Sequence, residues 1–223
     1  MRYEIVGKPS YSLVKVELEE NERITAEAGA MVSMSSNITM QTKARGGILS
    51  SLKRSVLGGE SFFMNTFYAE NGKGEILLAP MMVGDVQSLE LNGETIFVRS
   101  GSYLASVGDI EIDTKWGGAK TFFGGEGLFL LKIKGTGTLF VSSYGAIVEK
   151  YVEGDYIIDT SHIVAFEESL NFKVRKAGNW KSFFFSGEGL VCNFSGMGKV
   201  LIQTRNLDAL VTWMKSKVKG GGN

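Results

Sequence analysis

Apolar and polar residues alternate in short bursts along almost the whole chain, and glycine separates the bursts. Ile38-Thr39-Met40, Ile110-Glu111-Ile112 and Leu170-Asn171-Phe172 each set apolar side chains two positions apart, the spacing of a strand with one buried face. The runs at residues 12–18, 86–91 and 95–98 read the same way, with Asn92-Gly93 as a turn between the last two. Proline is confined to Pro9 and Pro80, so few of these strands are forced to sheet edges. Many short strands punctuated by glycine predict an all-β sandwich, barrel or β-helix.

The bursts recur in a fixed order. Gly59-Glu60-Ser61-Phe62 returns as Gly125-Glu126-Gly127-Leu128 and as Ser186-Gly187-Glu188-Gly189-Leu190. Upstream, Glu27-Ala28-Gly29-Ala30 aligns with Arg99-Ser100-Gly101-Ser102 and with Asp159-Thr160-Ser161-His162. Downstream, Asn71-Gly72-Lys73-Gly74, Gly135-Thr136-Gly137 and Gly196-Met197-Gly198 each read as a hairpin turn followed by one more strand. Three ordered copies predict three repeated units, about 16–84, 87–147 and 150–205, sharing one compact β domain over 1–205. Asn206 then reads as the N-cap of a helix over 206–218 whose Leu207, Leu210, Val211, Met214 and Val218 share one face, expected to close one end of the β body as a lid. Residues 219–223 form a flexible tail.

Composition narrows the function. With 24 basic and 24 acidic residues the net charge is zero, and nucleic acid as a partner loses its electrostatic support. Cys192 is the sole cysteine and reads as a buried structural thiol in a reducing, cytoplasmic setting. The sequence holds no run of about 18 apolar residues, so a soluble protein is expected. Phe62, Phe63, Phe67, Phe122, Phe123, Phe183, Phe184 and Phe185 are assigned to the core or to subunit contacts.

The order of the three copies, with Gly46-Gly47 and the motif Gly58-Gly59-Glu60-Ser61-Phe62-Phe63, resembles a family of bacterial and archaeal proteins related to yeast altered inheritance of mitochondria twenty-four (Aim24). The resemblance runs from about residue 3 to residue 205. It implies a double-stranded β-helix unit like that of the tryptophan-activated RNA-binding attenuation protein (TRAP), triplicated into a pseudo-threefold body. It brings no catalytic residues, and its mitochondrial relative's part in inner-membrane organisation points towards scaffolding.

Candidate chemistry is sparse. His162 is the one histidine, too few for a cupin-type metal site or a nucleophilic triad, so no catalytic residue, metal or cofactor is assigned and no enzymatic activity is expected. Glu60, Glu126 and Glu188 hold matching places, where they either accept backbone N–H bonds in a turn or gather near one axis beside a cavity between repeats. Residues 44–58 have no counterpart in the other copies. There Ile48, Leu49, Leu52, Val56 and Leu57 group on one side of a helix-like stretch amid Lys43, Arg45, Lys53 and Arg54. That stretch covers the β body, a second subunit or protein partner, or anionic lipid. The reading favoured by the residues is a binding or scaffold protein acting through its surface and through self-association; a small-molecule binder or enzyme using the cavity near the three glutamates is the alternative.

Overall fold

The computed structural model describes residues 1–41, 63–114, 129–177 and 190–218, and the backbone of 56–57 and 60–61. Strands dominate. The first segment holds β1 (Arg2–Val6), β2 (Leu13–Leu18), β3 (Arg23–Glu27), β4 (Met31–Met34), β5 (Ile38–Gln41), β6 (Val56–Leu57), β7 (Glu60–Ser61), β8 (Met64–Ala69) and β9 (Gly74–Leu78). A middle segment follows with β10 (Val86–Arg99), β11 (Tyr103–Asp113) and β12 (Leu130–Ser142). The last holds β13 (Ile147–Asp159), β14 (Ile163–Glu167), β15 (Asn171–Lys176) and β16 (Leu190–Gln203), and the α-helix α1 (Leu207–Val218) ends the described chain.

Within each segment the strands nearest its end lie between those nearest its start. β9 sits between β2 and β4, and β8 between β3 and β5. In the middle segment β12 runs between β10 and β11. β16 takes that place in the last, flanked by β13 on one edge and by β14 and β15 on the other. One residue in each segment interrupts the register at a matching point, between Met31 and Ser33, Tyr103 and Ala105, and Ile163 and Ala165. These are β-bulges, which re-aim the strand that carries them. The chain also takes positive φ at Asn21, Gly93 and Gly154, between β2 and β3 in the first segment and within β10 and β13 in the other two.

The structure corrects three expectations. Gly135, Gly137, Gly196 and Gly198 do not make hairpin turns: β12 and β16 run through them unbroken. Their use is close approach, since a Cβ on Gly135 would stand 2.0 Å from the Asp109 carbonyl oxygen and one on Gly137 equally near that of Val107. The break between β8 and β9 at Asn71-Gly72 is the one that forms as expected. Likewise Asn92-Gly93 bends β10 without ending it. Val56–Leu57 do not close a helix either; their backbone pairs with Glu60–Ser61. Finally, α1 is not a lid. Asn206 does cap it, its Oδ1 accepting the N–H groups of Asp208 at 2.8 Å and Ala209 at 3.2 Å, yet no helix residue is buried. The face bearing Val211, Met214 and Val218 lies largely in solvent.

Three hydrophobic clusters make the core, and they cross segment boundaries. Val14, Val16, Ile24, Phe67, Ile76 and Leu78 of the first segment pack with Val86, Leu104, Ala105 and Phe140 of the middle one. Leu91, Val98, Leu131 and Leu139 of the middle segment take in Val164, Ala165 and Leu201 of the last, with Ile147 against them. Phe97 and Leu130 join Ile158, Phe166, Cys192 and Phe194 in the third. There Phe97, Phe166 and Phe194 stack in sequence at centroid separations of 5.2 and 5.0 Å, each pair adding roughly 0.5–1.5 kcal/mol beyond its buried area. Phe67 is buried with the first cluster, whereas Phe63 is exposed; the other phenylalanines named from the sequence lie outside the described residues.

Candidate functional site

Two seams join the segments, and both use strands at corresponding places in their segments. Ala105 and Ser106 of β11 pair with Ala26 and Thr25 of β3; Ala165 and Phe166 of β14 pair with Val98 and Phe97 of β10. Beside each pairing the bulge residue, Leu104 or Val164, is fully buried against the preceding segment. In β4 the bulge residue is Val32, and it is 56% exposed. Met31 and Met34 flank it, also exposed. Among the described residues β4 bonds only to β9, and β13 over residues 155–159 only to β16, leaving Tyr156 and Ile157 in solvent. Two apolar strand edges are thus open, one at each end of the series.

Beyond each seam the strands diverge and leave a wedge. β1 fills the first, pairing antiparallel with the outer edge of β2 from Arg2↔Glu17 to Val6↔Leu13. Its Tyr3 ring meets Phe140 edge-on at 5.0 Å, and the hydroxyl donates to Ser88 Oγ at 3.2 Å. The second wedge is open. It is a groove of about 750 Å³ between the first half of β10 and the strands β14 and β16, with Leu89, Leu91, Ile96, Phe166 and Leu201 among its lining. β10 bonds to β12 along its whole length, but its pairing with β14 begins only at Ile96. Among the described residues the outer edge of β10 from Val86 to Asn92 therefore has no strand beside it.

Carboxylates rim this groove. Glu90, Glu94, Glu149, Glu167 and Glu168 line it against the single ammonium of Lys199. The bond from Gln87 holds the Glu149 carboxyl below its ordinary range, helped by Lys199 at 3.2 Å. A bond from Lys132, 2.9 Å away, does the same for Glu168, and backbone N–H groups at Asn92 and Glu94 do so for Glu94. All three stay ionised at neutral pH.

The residues singled out from the sequence fall elsewhere. Glu60 lies in the two-residue ladder with Leu57; Glu126 and Glu188 lie outside the described residues. So do Ile48, Leu49, Leu52, Lys53 and Arg54, while Val56 and Leu57 are described in backbone alone. His162 Nδ1 donates to the Gln203 carbonyl at 2.7 Å, within a lattice in which Arg99 and the Gln203 amide both donate to the Ser161 carbonyl. That is a structural role. Burial pushes the Cys192 thiol up to about 12, which removes it from thiolate chemistry. Among the described residues no three His, Cys, Asp or Glu side chains are grouped to hold a metal, and no helix is long and apolar enough to cross a membrane.

Residues 3–205 match the family model described as mitochondrial biogenesis AIM24. The chain belongs to the AIM24 family. An uncharacterized protein of Streptococcus pyogenes serotype M6 is 29% identical to it over 232 residues, covering 100% of this chain and 93% of that one. A Streptococcus pyogenes protein solved by X-ray crystallography superposes with a TM-score of 0.80 at 29% identity, over 97% of this chain and 99% of its own. The open groove and the two free edges of this AIM24 protein are made by strands distant in sequence, and no local motif marks them. The signal that was there is Val32, an apolar residue in a matching place that stays exposed among the described residues.

Proposed function

We propose that this AIM24 protein is a non-enzymatic binding or scaffold protein acting through its surface and through association with further copies of itself. In this reading the three segments are copies of one TRAP-like, double-stranded β-helix unit arranged about a pseudo-threefold axis. β4 of one chain meets β13 of the next and repeats the seam that joins the segments internally. The observation that carries it is the contrast at the bulge: Leu104 and Val164 are fully buried and Val32 is 56% exposed. Full burial of a valine is worth about 1.5–3 kcal/mol, and Met31, Met34, Tyr156 and Ile157 would be covered with it. Such a contact joins unlike surfaces head to tail, so it builds rings or filaments rather than isologous pairs.

Sedimentation across a concentration series tests this. The wild type is expected to form concentration-dependent assemblies, and Val32→Asp or Ile157→Asp to return the chain to a monomer that melts where the dilute wild type does. A wild type that stays monomeric at every concentration, or assemblies indifferent to both substitutions, would overturn the reading.

A further inference from the structure

The two wedges have the same origin and different contents. Where β2 diverges from the first seam, β1 lies along its free edge; where β10 diverges from the second, no strand of the described residues lies along the edge, which opens on the acidic groove. Between Val86, whose carbonyl accepts from Lys8, and Asn92, whose N–H is taken by Glu94, this edge has no strand beside it among the described residues, and the groove beneath it is lined by the half-buried Leu89 above the buried Leu91 and Phe166. Peptides recognised by strand addition need both features: the backbone gives affinity and the pockets select alternate side chains. The charge also favours a cation, since five carboxylates line the opening and the ammonium groups bonded to them are Lys199 at Glu149 and Lys132 at Glu168.

We propose that this groove is a peptide site that takes an extended, lysine- or arginine-bearing segment of a partner protein as an added strand antiparallel to the first half of β10. Alternate apolar side chains of the segment rest on Leu89 and Leu91, and its cationic side chains reach Glu94 and Glu168 at the rim. β1 is the intramolecular precedent, with Tyr3 serving as the apolar contact. The proposal does not depend on self-association, because neither β4 nor residues 155–159 of β13 line the groove.

The test uses the whole chain and a labelled seven-residue peptide alternating lysine with valine and tyrosine. Its twin carries glutamate for every lysine. Fluorescence anisotropy is expected to show saturable binding of the lysine peptide, at least tenfold weaker for the twin and weakened by salt. Amide exchange should slow at residues 87–91 when the lysine peptide is added. Glu94→Lys with Glu168→Lys should reduce affinity about tenfold or more, and the milder pair Glu94→Gln with Glu168→Gln, which keeps the shape, should reduce it in the same direction. No binding to a folded protein, equal binding of the two peptides, or protection confined to other strands would overturn the proposal. Protection of 87–91 that rises with protein concentration in the absence of peptide would overturn it too, since the occupant would then be a second copy.

Discussion

Leu104 and Val32 stand at the same bulge in two segments of one molecule, and their surroundings could hardly differ more. Leu104 is fully buried because the first segment lies against it; Val32 is exposed because nothing in the described chain lies against the first segment on that side. The middle segment is flanked on both sides, and the outer two on one each. Burial here is a property of the neighbour rather than of the residue, so equal sequence positions carry unequal energies.

That contrast is most directly broken by truncation. Leu104→Ala is expected to cost about 2–5 kcal/mol, as large-to-small changes in packed cores do, whereas Val32→Ala should stay within about 0.5 kcal/mol for the monomer. Urea midpoints of the two variants at low protein concentration decide it, and equal losses would mean that the segments do not differ in this way.

A second difference lies at the turn just before the bulge. The first segment has Glu27 there, where the middle has Arg99 and the last has Asp159 capping Ser161. Burial raises the Glu27 carboxyl from 4.5 to about 7. Its folded value exceeds its unfolded one, so the fold binds the proton more tightly. Below pH 4.5 the carboxyl is neutral in both states and costs nothing; as pH climbs to about 7 a penalty accumulates, and above that it is complete. Glu27→Gln should therefore stabilise the protein by up to ~2–3 kcal/mol at pH 8 and leave it unchanged near pH 4. Denaturant titrations at the two pH values would show this, and a variant no more stable than wild type at pH 8 would contradict it.

The smallest effect belongs to the filled wedge. Tyr3→Ala removes the ring from Phe140 and should lower stability by about 1 kcal/mol, a shift of a few degrees or less in a thermal scan of a chain this size. A loss matching that of Leu104→Ala would show that β1 belongs to the core rather than covering a wedge.

Much of this architecture can be read from residue order alone, for identifiable reasons. Alternation at Ile38-Thr39-Met40 and at Leu170-Asn171-Phe172 marks β5 and β15, because side chains on a strand change face at every residue. Asn206 announces its helix through the amide that caps it. Gly135 and Gly137 mislead, since positive φ serves a hairpin and a close strand crossing equally well. The exposure of α1 escapes notice because an amphipathic face states a need for cover without stating what provides it. The groove is the least visible of all. It exists because β10 and β14 part company before Ile96, and its rim gathers Glu94 from the middle segment with Glu149 and Glu168 from the last.

The junctions between segments carry one more consequence. Gly84 forms a parallel bridge with Gly145, and a side chain on it would meet the Ser143 carbonyl oxygen at 1.9 Å. Ser12 N–H donates to the Gly84 carbonyl and Asp85 N–H to that of Gly145, each at 3.0 Å, so the starts of all three segments are stitched at one place. Connectors between the segments of a chain are commonly the hinges and the convenient points for cutting or permuting. Here they are held by close backbone contacts, so a circular permutant opened at residue 84 should fail where one opened at the Asn71-Gly72 turn survives.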